Sequence, residues 1–167
     1  LHPQYVNLNA LPPLNDIQQR KHFAQLQKTL NALPEIDYER VNEAKITYLK
    51  AIYQQEGEAT LKSDDFKTFF QASQEWLVPY AYYSYLRDKL GTANFMQWKG
   101  HSQWNKVDRL PLSTPGTKEY QHVAFFYYVQ YILHRQMEAA HITARKHGIV
   151  LKGDIPIGVN RLGCDVW

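Results

Sequence analysis

Apolar positions along the chain recur at helical spacing, interrupted by short polar or proline-bearing breaks. Residues 1–14 hold three prolines and no helical period, so they read as an extended lead-in. Asn15 or Asp16 can cap free N–H groups, and Phe23, Leu26, Leu30 and Leu33 follow until Pro34 ends the run. Asp37 is the next cap, ahead of Val41, Ala44, Tyr48, Ala51 and Ile52, with Gly57 as the left-handed residue that closes this helix. The two helices are expected to pack as a hairpin. Ser63, Asp64 and Asp65 then open a short helix through Phe66, Phe69 and Phe70. A separate helix covers Leu77 to Leu90, with Pro79 tolerated in its first turn and Gly91 as its stop.

From Thr92 to Ser113 the period fades. Trp98, Gly100, Trp104 and Pro111 mark an irregular, aromatic-rich connection with room for a turn of helix. Thr114-Pro115 place a cap and a proline at a first helical position, and nothing breaks the chain again before Gly148. One helix of about 30 residues, about 45 Å long, follows. Tyr120, Val123, Tyr127 and Tyr131 form one apolar face, and Phe125, Phe126, Val129, Leu133 and Met137 form another. A helix apolar on two faces is buried between layers. Beyond Gly148, Ile149-Val150-Leu151 reads as a short buried-type strand, followed by Lys152-Gly153-Asp154 and Ile155-Pro156-Ile157-Gly158-Val159. A single strand leaves its backbone groups unpaired, so it points to a sheet outside this chain. The organisation expected is a lead-in (1–14), a helical subdomain (15–113), and a long helix with strand and loop (114–167).

Of the 167 residues, 44% are apolar and 21% charged, the composition of one soluble globular domain or a large piece of one. The chain opens on Leu1 without a methionine and stops at Trp167 after an unfinished motif, so an excised segment is expected. Mean hydropathy is −0.52, and no apolar run approaches the roughly 18 residues of a membrane span. No membrane partner is expected. Four Trp, 12 Tyr and 7 Phe are too many for a chain that fails to collapse. The net charge of +3 comes from interspersed signs, which leaves no electrostatic footprint for nucleic acid. Cys164 stands alone, excluding an intramolecular disulfide and a cysteine-based zinc site, and fits a reducing, cytoplasmic setting.

Asp154 is the leading candidate for chemistry. A carboxylate after an apolar strand and before a proline loop sits where barrel and doubly wound enzymes build their sites; the plainer alternative is a turn cap. Asp165 reads as the cap of a helix beginning near Trp167. Among seven histidines, His134 and His141 share one helix but lie two turns apart, about 10.5 Å, too far to ligate one ion. With no His-Glu-x-x-His and no Cys-His spacing, neither a metal nor a cofactor is expected. No Gly-x-Ser-x-Gly occurs, and Gly153 to Gly163 lacks the spacing of a phosphate loop. Trp76, Tyr80, Tyr82, Tyr83 and Tyr85 have helical spacing and read as core, whereas Trp98 and Trp104 are open between core and a sugar-stacking role.

The segment from Ala144 to Trp167, with Leu151-Lys-Gly-Asp-Ile-Pro-Ile-Gly-Val159 at its centre and Asp165-Val166-Trp167 at its end, resembles the 4-α-glucanotransferases (amylomaltases, glycoside hydrolase family 77). Phe126 to Tyr131 with Gln136, Trp76 to Ala81, Asp37-Tyr38-Glu39, Phe69-Phe70 and Leu86-Arg87-Asp88 carry the resemblance over nearly the whole chain, from Tyr5 onward. It implies a (β/α)8 barrel enzyme that moves α-1,4-glucan segments with retention, through a covalent glycosyl ester. The family's nucleophilic Asp, acid/base Glu and third carboxylate lie downstream of these residues. No catalytic residue is therefore expected within this chain. The resemblance makes it mainly α, a helical insertion subdomain that ends in one barrel strand. It places Asp154 near the donor sugar as a positioning residue, and implies maltose, maltodextrin or glycogen-like glucans as partners. A piece cut from a barrel is also expected to self-associate through bared apolar surface. The rival readings are a non-enzymatic helical interaction module and a small metal-dependent hydrolase using the histidines.

Overall fold

The computed structural model describes residues 1–154 and 157–167. Five α-helices carry it: α1 (Ile17–Asn31), α2 (Tyr38–Lys62), α3 (Asp64–Leu90), the short α4 (Arg109–Ser113) and α5 (Lys118–Lys146). Single 3-10 turns occupy Pro3–Tyr5, Leu8–Ala10, Phe95–Gln97 and Lys106–Asp108. No strand occurs among the described residues, and none of their helices is long and apolar enough to cross a membrane. A mainly α architecture therefore stands.

The helix starts follow local chemistry closely. The Asp16 carboxylate accepts from the N–H groups of Gln18 and Gln19, and that of Asp37 from Arg40. Both satisfy amides that have no partner inside the helix. Gly91 (φ 68°) and Gly148 (φ 70°) take the left-handed conformation at the ends of α3 and α5. At the latter, Ile149 N donates to Ala144 O (2.9 Å) and Gly148 N to Arg145 O (3.1 Å), the paired bonds of a Schellman cap.

Four boundaries differ from the sequence reading. Gly57 does not close α2; it is buried inside it, and its bare Cα leaves room for the Tyr53 ring one turn earlier. The two helices expected between Ser63 and Leu90 are one. Pro79 thus sits mid-helix, where it removes a backbone bond at a cost of about 3 kcal/mol. The offset is burial: Phe66, Phe69, Leu77, Val78 and Ala81 form a continuous face that a break would split. α5 begins three residues late, because the hydroxyl of Thr117 rather than that of Thr114 caps it, accepting from Tyr120 N. Finally, Ile149-Val150-Leu151 forms no strand and all three are exposed, Val150 at 87%. Among the described residues there is no strand edge for them to pair with.

α5 is the centre of the molecule. Val123, Tyr127 and Tyr131 pack toward α3 and α4, while Tyr128, Val129 and Leu133 face α2 and the lead-in. The two-faced pattern thus becomes two core layers sharing one helix. α3 runs antiparallel to α5: Phe66 and Phe69 meet Tyr131, Phe70 meets Tyr127, and Tyr85 stacks on His122 at the opposite end. The lead-in is neither loose nor fully extended. Val6 and Leu14 are buried, Lys45 Nζ donates to Gln4 O and Val6 O, and Gln136 holds both the N–H and C=O of Asn7.

A Cβ at position 57 would stand 2.3 Å from Cδ2 of Tyr53, whose ring is hemmed in by Phe125 (5.6 Å) and Tyr128 (5.4 Å). Gly57→Ala should therefore destabilise by about 1–3 kcal/mol, instead of the gain of up to about 1 kcal/mol at an open helical site. Chemical denaturation gives the sign directly; a raised midpoint at unchanged slope refutes it.

Burial pushes the Tyr120 phenol up to about 12, with Tyr53 a lesser cause, and raises Tyr127 and Tyr128 further. An unfolded tyrosine ionises near pH 10, so above about pH 10 the unfolded chain gains charge that the folded core refuses. Stability should be full below about pH 10 and fall as pH rises toward the folded-state values. Tyrosinate absorbance and helical circular dichroism are expected to change together for these phenols; complete ionisation with the helices intact would contradict their burial.

Candidate functional site

The region of interest is the chain beyond α5. It leaves the Gly148 cap with Leu151, Lys152 and Gly153 lying across a shallow groove of about 410 Å³ from His134, Met137, Glu138 and His141. Asp154 follows, exposed. The rest of its motif begins with Ile155 and Pro156, which lie outside the described residues; Ile157 and Val159 are fully or largely exposed.

The far end of this segment is held firmly. An Asx-type turn sets Gly163 N on Asn160 O and Leu162 N on Asn160 Oδ1. The Tyr83 hydroxyl contacts Leu162 O and Ala93 O. The Trp167 indole lies among Tyr82, Tyr83, Trp98 and Trp104, with centroids 5.7–5.9 Å away. Its Nε1 donates to His101 O at 2.8 Å, and Trp104 N donates to Trp167 O at 3.1 Å. Edge-on and tilted rings at these separations add to the area they bury. The cluster occupies the end of α3, supported by Leu86 and Phe95.

Trp98 is 2% exposed, with its indole N–H donated to Thr92 O. The rings of Tyr83 and Trp167 pack against it, with centroids 5.1 and 5.7 Å away. In this chain Trp98 lies in a core cluster with Tyr83, Leu86 and Phe95. Trp104 is half-buried against Tyr82 and Trp167. Asp165 is exposed in a turn. The half-buried Cys164 thiol is pushed up by burial and then by the Asp165 carboxylate beside it, the opposite of an activated nucleophile. His134 stacks against Phe69, and among the described residues no three His, Cys, Asp or Glu side chains converge on a metal position.

Tyr83, His101 and Trp167 were not singled out by sequence as a unit. Helical spacing marks Tyr83 as core, but nothing local shows that its hydroxyl reaches Leu162, far along the chain. A larger groove of about 650 Å³ lies between α1, the start of α2 and the lead-in, with Phe23, Leu30, Val41 and Tyr48 among its lining. It is remote in sequence from Asp154.

The described residues are mainly α, with Asp154 exposed on the chain beyond α5. The chain belongs to the 4-alpha-glucanotransferase family, glycoside hydrolase family 77, whose pattern matches residues 1–167. It is 36% identical over 167 residues to the 4-alpha-glucanotransferase DPE2 of Oryza sativa subsp. japonica, covering 100% of this chain and 18% of that protein. It is 27% identical over 170 residues to the 4-alpha-glucanotransferase of Chlamydia pneumoniae, covering 100% of this chain and 31% of that protein. The Synechocystis 4-alpha-glucanotransferase is 26% identical over 80% of this chain. The chain thus spans less than a third of the rice and chlamydial proteins. No solved structure matches it.

Proposed function

We propose that these residues are the helical insertion and an adjoining barrel strand of a cytoplasmic 4-α-glucanotransferase. The complete protein moves α-1,4-glucan segments or glucosyl units between maltose or maltodextrin donors and glycogen-like acceptors. The observation that carries this is the family match along the entire chain. In this reading residues 15–113 cover the barrel, and 114–167 bring in the long helix, the run at Ile149, which becomes a strand only where the rest of the sheet supplies an edge, and the loop after it. The glycosyl ester forms on a carboxylate of the downstream chain, with retention. The chain alone is inactive, because the carboxylates that flank the glycosidic bond in this family belong to the downstream polypeptide.

Asp154 takes the role of a positioning residue at the donor sugar. Its carboxylate is exposed, as a group awaiting a hydroxyl partner must be. A charge-assisted hydrogen bond to a sugar hydroxyl fixes one ring orientation. Trp104, half-buried, is offered to the same glucan. The bare apolar run Ile149, Val150 and Leu151, with Met137 exposed beside Leu151, fits a surface that the remaining polypeptide covers.

With maltose and glycogen, the complete polypeptide should release glucose and the 167-residue chain should not. Asp154→Asn in the complete protein should cut transfer about 10–1,000-fold, the cost of losing one strong positioning contact at about 1.4 kcal/mol per decade. Thermal unfolding checks that the fold is kept. Transfer by the isolated chain, or an Asp154→Asn enzyme of unchanged rate, would sink this reading.

The isolated chain should also self-associate. Light scattering is expected to give a mass rising with concentration, and Val150→Lys should lower it. A monomer at all concentrations would contradict the bared surface.

A further inference from the structure

α1 and the turn after it carry Phe23, Leu26, Leu30 and Leu33 at helical spacing, yet each is only half-buried. The Phe23 ring meets Tyr48 of α2 at 5.0 Å. The rest of the stripe faces the groove of about 650 Å³ that separates α1 from the start of α2 and the lead-in. Val41 and Ala44 continue its floor from the α2 side. Side chains that line such a space go without the contacts a packed neighbour would give them. Its volume falls within the range of about 300–1,000 Å³ found for small-molecule sites.

Two cations line the same groove, Arg20 from α1 and Lys45 from α2. Among the described residues no carboxylate comes within ion-pair distance of either. Lys45 is half-buried, and its Nζ donates to Gln4 O at 2.6 Å and to Val6 O at 2.9 Å. Those carbonyls are neutral, so they leave the ammonium charge without a counter-ion and a third N–H still to be donated. Cationic side chains are seldom buried without a partner, and burial pushes the Lys45 ammonium below its ordinary pKa. α1 adds Lys21 and Lys28 and has no acidic residue between Ile17 and Asn31. Glu35, the acidic residue of the lining, lies beyond the C-terminal end of α1. An apolar floor flanked by cations that lack counter-ions suits a ligand with an apolar body and an anionic head.

We propose that the groove between α1 and α2 is a binding site for an aliphatic carboxylate, its chain laid on Leu26, Leu30 and Val41 and its head drawn to Arg20 and Lys45. A sugar would set hydroxyls against leucine and valine, where they find no hydrogen-bond partner. A small hydrophilic anion would leave that floor uncovered. The site is built from residues between Val6 and Tyr48, so it stands independently of the role given to Asp154. Each methylene that the floor buries strengthens binding about fourfold, and loss of one charge-assisted contact weakens it about tenfold. A ligand taken up by the folded chain alone also raises the temperature of unfolding.

The complete polypeptide is titrated calorimetrically with decanoate below its micelle-forming concentration, and thermal unfolding is followed with and without it. Decanoate should bind at a single site and raise the unfolding temperature. Octanoate, two methylenes shorter, should bind about 15-fold more weakly, and acetate should give no signal. Decanol keeps the tail without the charge and should bind about tenfold more weakly. Arg20→Gln should weaken decanoate about tenfold and shrink the thermal shift. Ala44→Phe, which sets a ring on the floor, should abolish binding. Arg20 is exposed, so its replacement reads the site where Ala44→Phe fails to fold. Absence of decanoate binding, many equal weak sites, or an affinity unchanged in Arg20→Gln overturns the proposal. Decanol held as tightly as decanoate overturns the anionic head, and displacement of decanoate by maltotetraose overturns the ligand class in favour of a glucan.

Discussion

The antiparallel contact of α3 with α5 is the constraint on which the rest of the molecule depends. Both helices are long, both are dominated by rings on the shared face, and each fixes the other's register through pairs such as Phe70 with Tyr127 and Phe66 with Tyr131. Once that seam is set, α4 is drawn against α5 by the Tyr127 hydroxyl on Leu112 O. The loop after α3 is then carried to the place where the chain after α5 comes to meet it. The seam also explains why a proline persists mid-helix. Breaking α3 at Pro79 would restore chain freedom but bare the neighbours Leu77, Val78 and Ala81, whose burial contributes more than the lost backbone bond costs.

α2 and α3 meet at a single residue. Ser63 ends one helix, its N–H bonded to Thr60 O, and begins the next, its hydroxyl accepting from Phe66 N. With no connecting loop to absorb a change in direction, the orientation of α2 is largely dictated by α3. The second core layer, in which Leu49 and Ile52 face Val129 and Leu133, is then completed on the other side of α5.

Helix identity, caps and the double-faced nature of α5 were legible because each depends on residues within a few positions of one another. Asp16, Asp37, Gly91 and Gly148 act through local backbone geometry, and sequence spacing reads that directly. Gly57 and Pro79 misled for the complementary reason. Their local preference is real, but the ring of Tyr53 in one case and the buried face of α3 in the other outweigh it, and both depend on distant partners. Ile149 to Leu151 has the composition of a strand without an edge to join, so its expected conformation is not reached here. For the candidate site, Asp154 stood out from its motif. The burial of Trp98 depends on Tyr83 and Phe95 packed around it, and neither that nor the joining of Tyr83 to Leu162 had a local signal.

The lead-in is held in a way that sets it apart from the helices. Lys45 grips two carbonyls, Gln55 binds Asn15 N and Pro13 O, and Gln136 takes both the amide and carbonyl of Asn7. Each of these side chains reads the main chain, which is the same whatever residue occupies the position. The identities of Gln4, Asn7 and Asn15 are therefore weakly constrained by attachment, while those of Lys45, Gln55 and Gln136 are tightly constrained. This stretch can drift in sequence without drifting in place, except where Val6 and Leu14, with Leu8 and Leu11 beside them, pack into the core.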